Sequence, residues 1–166
     1  TYNNTTVFVA VSDNNADGLN KQVITSNDGI TWTSQDTANK DLEWSSITSG
    51  IILDDNSNYV NETIFVAVSN VPDSESNINY VLTSLDSINW SMTQVSQSSI
   101  SICSGVPNTG TYANKTLFVA LSESGSVITS INGTTWEPAT SSIGSDWNKI
   151  SSGTINGITV FIAVRN

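Results

Sequence analysis

Apolar residues in this chain fall in short runs of four to seven, set between polar stretches rich in Ser, Asn and Gly, and the same runs return. One phrase occurs four times, as Val7-Phe8-Val9-Ala10-Val11, Ile64-Phe65-Val66-Ala67-Val68, Leu117-Phe118-Val119-Ala120-Leu121 and Val160-Phe161-Ile162-Ala163-Val164. A second occurs three times, as Val23-Ile24-Thr25-Ser26, Val81-Leu82-Thr83-Ser84 and Val127-Ile128-Thr129-Ser130, and each is followed by a tryptophan: Trp32, Trp90 and Trp136. A third, ending in Ser-Gly, runs over 44–50, 99–105 and 147–153 and precedes the first phrase each time. Phe8 and Phe161 lie 153 residues apart, three periods averaging 51.

Val, Ile, Phe and Thr dominate these runs, so each predicts a short β-strand. The Phe-Val-Ala-Val phrase is almost continuously apolar, the pattern of a strand covered on both faces. No window carries the i, i+3, i+4 spacing of an amphipathic helix. Asn156-Gly157, between two of the runs, predicts a type I′ hairpin turn. Four antiparallel strands per period match a β-propeller blade, a unit that needs neighbours to bury its faces. The expected fold is all-β and β-propeller-type, with three four-stranded antiparallel blade repeats in a single domain. The repeats run over 7–63, 64–116 and 117–159, and residues 160–166 duplicate the first strand. Three blades are too few to close a ring. The chain therefore reads as a window on a longer array, or as a unit whose copies share strands, Val160–Val164 of one taking the slot of Val7–Val11 in another.

Composition narrows the function. Ser, Thr and Asn make up 67 of the 166 residues, and 15 acidic against 5 basic residues give a net charge of −10. Nucleic acid and anionic membrane surfaces both select basic proteins, so neither is an expected partner. No apolar run approaches the length of a membrane span. The chain has no histidine, which excludes Ser-His-Asp triads and histidine metal ligands, and Cys103, its one cysteine, excludes an internal disulfide. Cys103 replaces Thr48 and Ser151 of the other repeats and reads as a small buried hydrophobe.

The segments Ser26-Asn27-Asp28-Gly29-Ile30-Thr31-Trp32, Ser84-Leu85-Asp86-Ser87-Ile88-Asn89-Trp90 and Ser130-Ile131-Asn132-Gly133-Thr134-Thr135-Trp136 resemble the Asp-box hairpins of sialidase-like β-propellers, each one residue shorter than the family's box. The resemblance covers nearly the whole chain. It implies that Asp28, Asp86 and Asn132 tie hairpin turns and that Trp32, Trp90 and Trp136 pack between blades. It implies little about activity, because the box is a structural device.

Sialidase-type catalysis needs several arginines, and this chain has only Arg165. No pair of acids recurs at matched positions, so no enzymatic activity is expected. Asp13, Asn15 and Asp17, followed by Gly18, have the spacing of a calcium loop, but Lys21 and Ile24 stand where later ligands belong. Calcium is the one candidate cofactor, and a polar hairpin tip is the alternative reading. Asn4, Asn61, Asn89, Asn114 and Asn132 head Asn-x-Ser/Thr sequons. The expected function is a non-enzymatic, glycosylated structural protein, extracellular or at the cell surface, that associates with itself in a surface layer or fibre. The alternative is a carbohydrate- or protein-binding propeller module of a larger secreted protein.

Overall fold

The computed structural model describes residues 6–12, 22–37, 42–53, 59–139 and 143–165. Every regular element among them is a β-strand, and the strands form four antiparallel sheets in chain order. Sheet 1 holds β1 (Phe8–Val11), β2 (Val23–Ser26) and β3 (Thr33–Gln35). Sheet 2 holds β4 (Trp44–Leu53), β5 (Tyr59–Ser69), β6 (Asn79–Ser84) and β7 (Ser91–Val95). Sheet 3 holds β8 (Ser101–Gly105), β9 (Leu117–Leu121), β10 (Val127–Ser130) and β11 (Glu137–Pro138). Sheet 4 is the hairpin of β12 (Trp147–Ile155) and β13 (Ile158–Arg165).

Three four-stranded sheets were the expectation, and the described residues give four sheets of three, four, four and two strands. Sheets 2 and 3 have the four antiparallel strands expected of a repeat, and the count of sheets differs because the pairing frame does not start at the apolar phrase. Each Ser-Gly strand bonds to the Phe-Val-Ala-Val strand that follows it, Ile47 opposite Ala67, Ile102 opposite Ala120 and Ile150 opposite Ala163. The first and last copies of the apolar phrase therefore belong to different sheets. The hairpin between β12 and β13 turns on Asn156 and Gly157, both at positive φ (51° and 78°), as a type I′ turn requires.

Consecutive sheets bury their facing sides against each other. Val23, Leu42, Trp44, Ala67 and Leu82 fill the space between sheets 1 and 2, with Val9, Val11 and Trp90 at its margin. Ile64, Val66, Val68, Ile102, Phe118, Ala120 and Ile128 fill the space between sheets 2 and 3, with Trp136 against them. Cys103, Leu117 and Val119 meet Ile150 and Phe161 between sheets 3 and 4. The apolar strand of an inner sheet thus serves two cores at once, and all five residues of β9 are buried. Among the described residues sheets 1 and 4 each have one neighbouring sheet, and there Phe8 is 45% exposed and Ile162 54%.

The leading strands β4, β8 and β12 lie side by side and are joined by a contact that repeats. A Cβ on Gly50 would come within 2.5 Å of Thr116 Cγ2 and 2.9 Å of the Phe118 ring, so only glycine lets β4 approach sheet 3 this closely. One sheet further on, a Cβ on Gly105 would meet Thr159 Cγ2 at 2.9 Å and the Phe161 ring at 3.2 Å. Hydroxyl groups fasten the same junctions. The Thr116 hydroxyl donates to the carbonyl of Ile51 and that of Thr159 to the carbonyl of Val106. Ser104 donates to Ser49 O and Ser152 to Ser104 O. Ser46 Oγ accepts the amide of Ile102, and Ser101 Oγ that of Ile150, each at 3.2 Å.

Gly50→Ala is expected to destabilise the protein by about 1–3 kcal/mol, the range for overpacking a filled core. Thr116 is held by its hydroxyl and Phe118 is fully buried, so neither can withdraw from the added methyl. Urea denaturation followed by tryptophan fluorescence measures the loss.

Candidate functional site

The three Ser-x-Asp/Asn turns share one bonding scheme. In the first, Asp28 Oδ1 accepts the amides of Ile30 (2.8 Å) and Thr31 (2.7 Å), while Ser26 Oγ accepts that of Gly29 (2.9 Å) and donates to Asp28 Oδ1 (2.9 Å). In the second, Asp86 Oδ1 accepts from Ile88 and Asn89 at 2.9 and 2.7 Å, and Ser84 Oγ accepts from Ser87 at 2.8 Å. In the third, Asn132 Oδ1 accepts from Thr134 and Thr135 at 3.0 and 2.8 Å, and Ser130 Oγ accepts from Gly133 at 2.8 Å. The acceptor is an oxygen in every case, which is why Asn replaces Asp without changing the turn. Ser87 stands at φ 64° where the other two turns have glycine. Its backbone cost is borne locally while its hydroxyl bonds the carbonyl of Asp86.

These bonds stabilise the charged form of the two carboxyls. The amides of Thr31 and Ile30 hold the Asp28 carboxyl down to about 2 from an ordinary 3.8. The Asn89 side chain and amide, with the amide of Ile88, hold Asp86 at about 2 as well. In each turn the serine hydroxyl and the two amides after the Asp or Asn are engaged within the turn, so the arrangement fixes its backbone.

The tryptophans that follow occupy equivalent positions with unequal surroundings. Trp136 and Trp90 are half-buried against the sheet before their own, and their indole N–H groups donate to Gly133 O (3.0 Å) and Ser87 O (3.3 Å). Trp90 also lies 6.5 Å from the Phe65 ring, tilted by 52°. Trp32 was expected between sheets, but it is 40% exposed. Its face of sheet 1 has no preceding sheet among the described residues. The most buried tryptophan is Trp44, 1% exposed at the start of β4.

An open cleft of about 890 Å³ receives residues from all four sheets: Val11 and Ser12, Trp44, Ser45 and Asn70, Ile100 and Glu123, and Asp146 through Lys149. It lies where the leading strands begin. The Trp44 indole N–H and the Ser99 hydroxyl nearby are buried without a hydrogen-bond partner among the described residues. Trp147, half-buried, donates to Ile143 O at 3.1 Å. Acidic, amide and aromatic groups together suit a polar ligand. Sequence reasoning did not find this cleft, because its residues come from four separate strand ends.

Of the sequon asparagines, Asn114 is exposed at a positive-φ turn position, φ 60°. Asn89 is exposed and donates its amide to Asp86 Oδ2 at 2.7 Å, while both ends of the Asn132 amide are engaged in its turn. Asn61 lies on the backbone of β5, its side chain outside the described residues, as are Asn4 and the calcium candidates Asp13, Asn15 and Asp17. No group of three or more acidic or cysteine side chains that could hold a metal occurs among the described residues. Cys103 is buried, and burial pushes its thiol up to about 11, so it is protonated at neutral pH. No helix among the described residues is long and apolar enough to cross a membrane.

Because Asp28 and Asp86 have folded values below their unfolded ones, the stability they lend is present above the unfolded value near 3.8 and is lost as pH falls towards 2. The third turn has no titrating group. Melting temperature against pH should therefore fall across this window in the native chain, and less steeply in the Asp28→Asn/Asp86→Asn double variant. NMR titration of the two carboxyls should place both near 2.

No family model matches the chain, and no curated protein or solved structure matches it.

Proposed function

We propose that the chain is a non-enzymatic structural protein of the extracellular space or cell surface, a propeller-type repeat unit that carries N-linked sugar and associates with its own copies. One observation carries this reading. The inner sheets are covered on both sides, whereas the end sheets turn Phe8 (45% exposed), Ile162 (54%) and Val164 (55%) to solvent. Apolar faces of that kind are normally covered by a partner. The propeller reading is supported by four antiparallel sheets following one another in chain order with their leading strands side by side, and by the likeness of the three turns to Asp boxes. The absence of catalysis is supported by turns whose polar groups are spent on backbone, and by a single arginine in the sequence.

The cleft favours a second reading, a module that binds carbohydrate. Trp44, Trp147, Asn70, Asn148 and Glu123 supply the aromatic, amide and carboxylate groups that sugar hydroxyls use.

Sedimentation velocity over a wide concentration range should show species heavier than one chain, increasing with concentration. Material secreted from a eukaryotic host should carry sugar at Asn114 and none at Asn132, as glycopeptide mass analysis would read. A chain that stays monomeric and unmodified, but binds on a glycan array, would replace the structural reading with the binding one.

A further inference from the structure

The contacts that join sheet to sheet are written twice inside the chain and half-written at each end. At both inner junctions of the leading strands, a Thr-x-Phe segment of the later sheet docks on a glycine of the earlier one: Thr116 and Phe118 on Gly50, Thr159 and Phe161 on Gly105. Sheet 4 carries the next glycine, Gly153, with the same following carbonyl at Thr154, and nothing lies within 4 Å of where its Cβ would be. Sheet 1 carries a Thr-x-Phe segment, Thr6-Val7-Phe8, whose ring lies beside Gly29 of its own sheet, 3.7 Å from where that residue's Cβ would be, but which docks on no leading-strand glycine among the described residues and leaves Phe8 45% exposed.

A second contact is divided in the same way. A Cβ on Gly133, in the turn of sheet 3, would come within 3.0 Å of Ile64 and Val66 of sheet 2, and Trp136 packs against the same cluster. Its counterpart on sheet 1 is the Gly29 turn with Trp32, exposed and side by side with the Phe8 ring. The counterpart of Ile64 and Val66 on sheet 4 is Val160 and Ile162, the latter 54% exposed.

We infer that sheet 1 of one copy stacks on sheet 4 of a second copy, with Phe8 seated on Gly153 and the Gly29 turn and Trp32 seated on Val160 and Ile162. This rests on the self-association proposed above and names the surfaces that perform it. Two further features fit this occupant. At the inner junctions Ser46 and Ser101 accept an amide from the leading strand of the next sheet, but sheet 4 has Lys149 at that position. Sheet 1 brings no leading strand among its described residues, so no amide there needs an acceptor. Charge is also complementary among the described residues: 143–165 carry Lys149 and Arg165 against Asp146, while 6–12 and 22–37 carry Asp28 and Asp36 and no basic residue. A contact between two different faces is heterologous, so it closes a ring or extends a filament.

The test uses one variant for each face. Gly153→Val fills the seat at a position with open space around it and an ordinary backbone, and Trp32→Asp places a charge on the opposite face without entering a core. Each alone should leave the melting temperature of the dilute chain unchanged and weaken association roughly tenfold or more in sedimentation. Mixed in equal amounts, the two variants still offer one intact face each, and they should form a dimer that goes no further. An associating native chain whose variants associate equally well would overturn the stacking and leave self-association standing. Variants that stay monomeric when mixed would overturn the head-to-tail contact, and one variant that still dimerises alone while the other does not would replace it with a like-with-like one. A native chain that never associates would overturn the self-association reading itself.

Discussion

The close approach of each leading strand to the phenylalanine of the next sheet is the constraint on which the other features depend. A sheet has two faces, and with only strands among the regular elements of the described residues, each covered face is covered by another sheet. Glycine at 50 and 105 lets an aromatic ring sit directly on a backbone, and the threonine two residues before that ring reaches the adjacent carbonyl. Packing and polar satisfaction are thereby achieved in one contact. At such short range a charged side chain would have to shed its water, whereas a hydroxyl makes a neutral bond at small cost. This gives a physical reason for a sequence with 27 Ser and 20 Thr but only 20 charged residues in 166.

Much of the local structure was legible in the spelling of the chain. The strand phrases, the Asn156-Gly157 turn and the strand covered on both faces follow from residue type and spacing, which act over a few positions. The order of strands within a blade was legible too, as β4 to β7 and β8 to β11 show, but the division into three equal units was not, because boundaries drawn at the apolar phrase separate each Ser-Gly strand from the apolar strand it pairs with. Trp32 shows the same limit. Its repeat position is that of Trp90 and Trp136, but a repeat position does not reveal whether the neighbouring sheet is present. The junction residues had a signal that went unread: the third phrase ends in glycine each time, and a threonine precedes every Phe-Val-Ala-Val phrase, at Thr6, Thr63, Thr116 and Thr159. The four-sheet cleft had none, since no single segment contributes more than a few of its residues.

The same economy shapes the turns. Asp28, Asp86 and Asn132 each use one side-chain oxygen to accept two successive amides, which fixes the entry of the tryptophan strand. Among the described residues the faces at Phe8 and Ile162 are left uncovered, and the cleft at the head of the leading strands lies away from these turns. Both are products of sheet-to-sheet stacking.

The most direct measurement of that stacking is a double-mutant cycle between Gly50→Ala and Phe118→Leu, read by chemical denaturation. The Gly50 Cβ would lie 2.9 Å from the tip of the Phe118 ring, and leucine removes that tip. If the glycine exists to seat the ring, the alanine should cost less in the leucine background, with a coupling of about 0.5–3 kcal/mol. Additive effects, within about 0.5 kcal/mol, would contradict the account and separate the glycine from the packing of the next sheet.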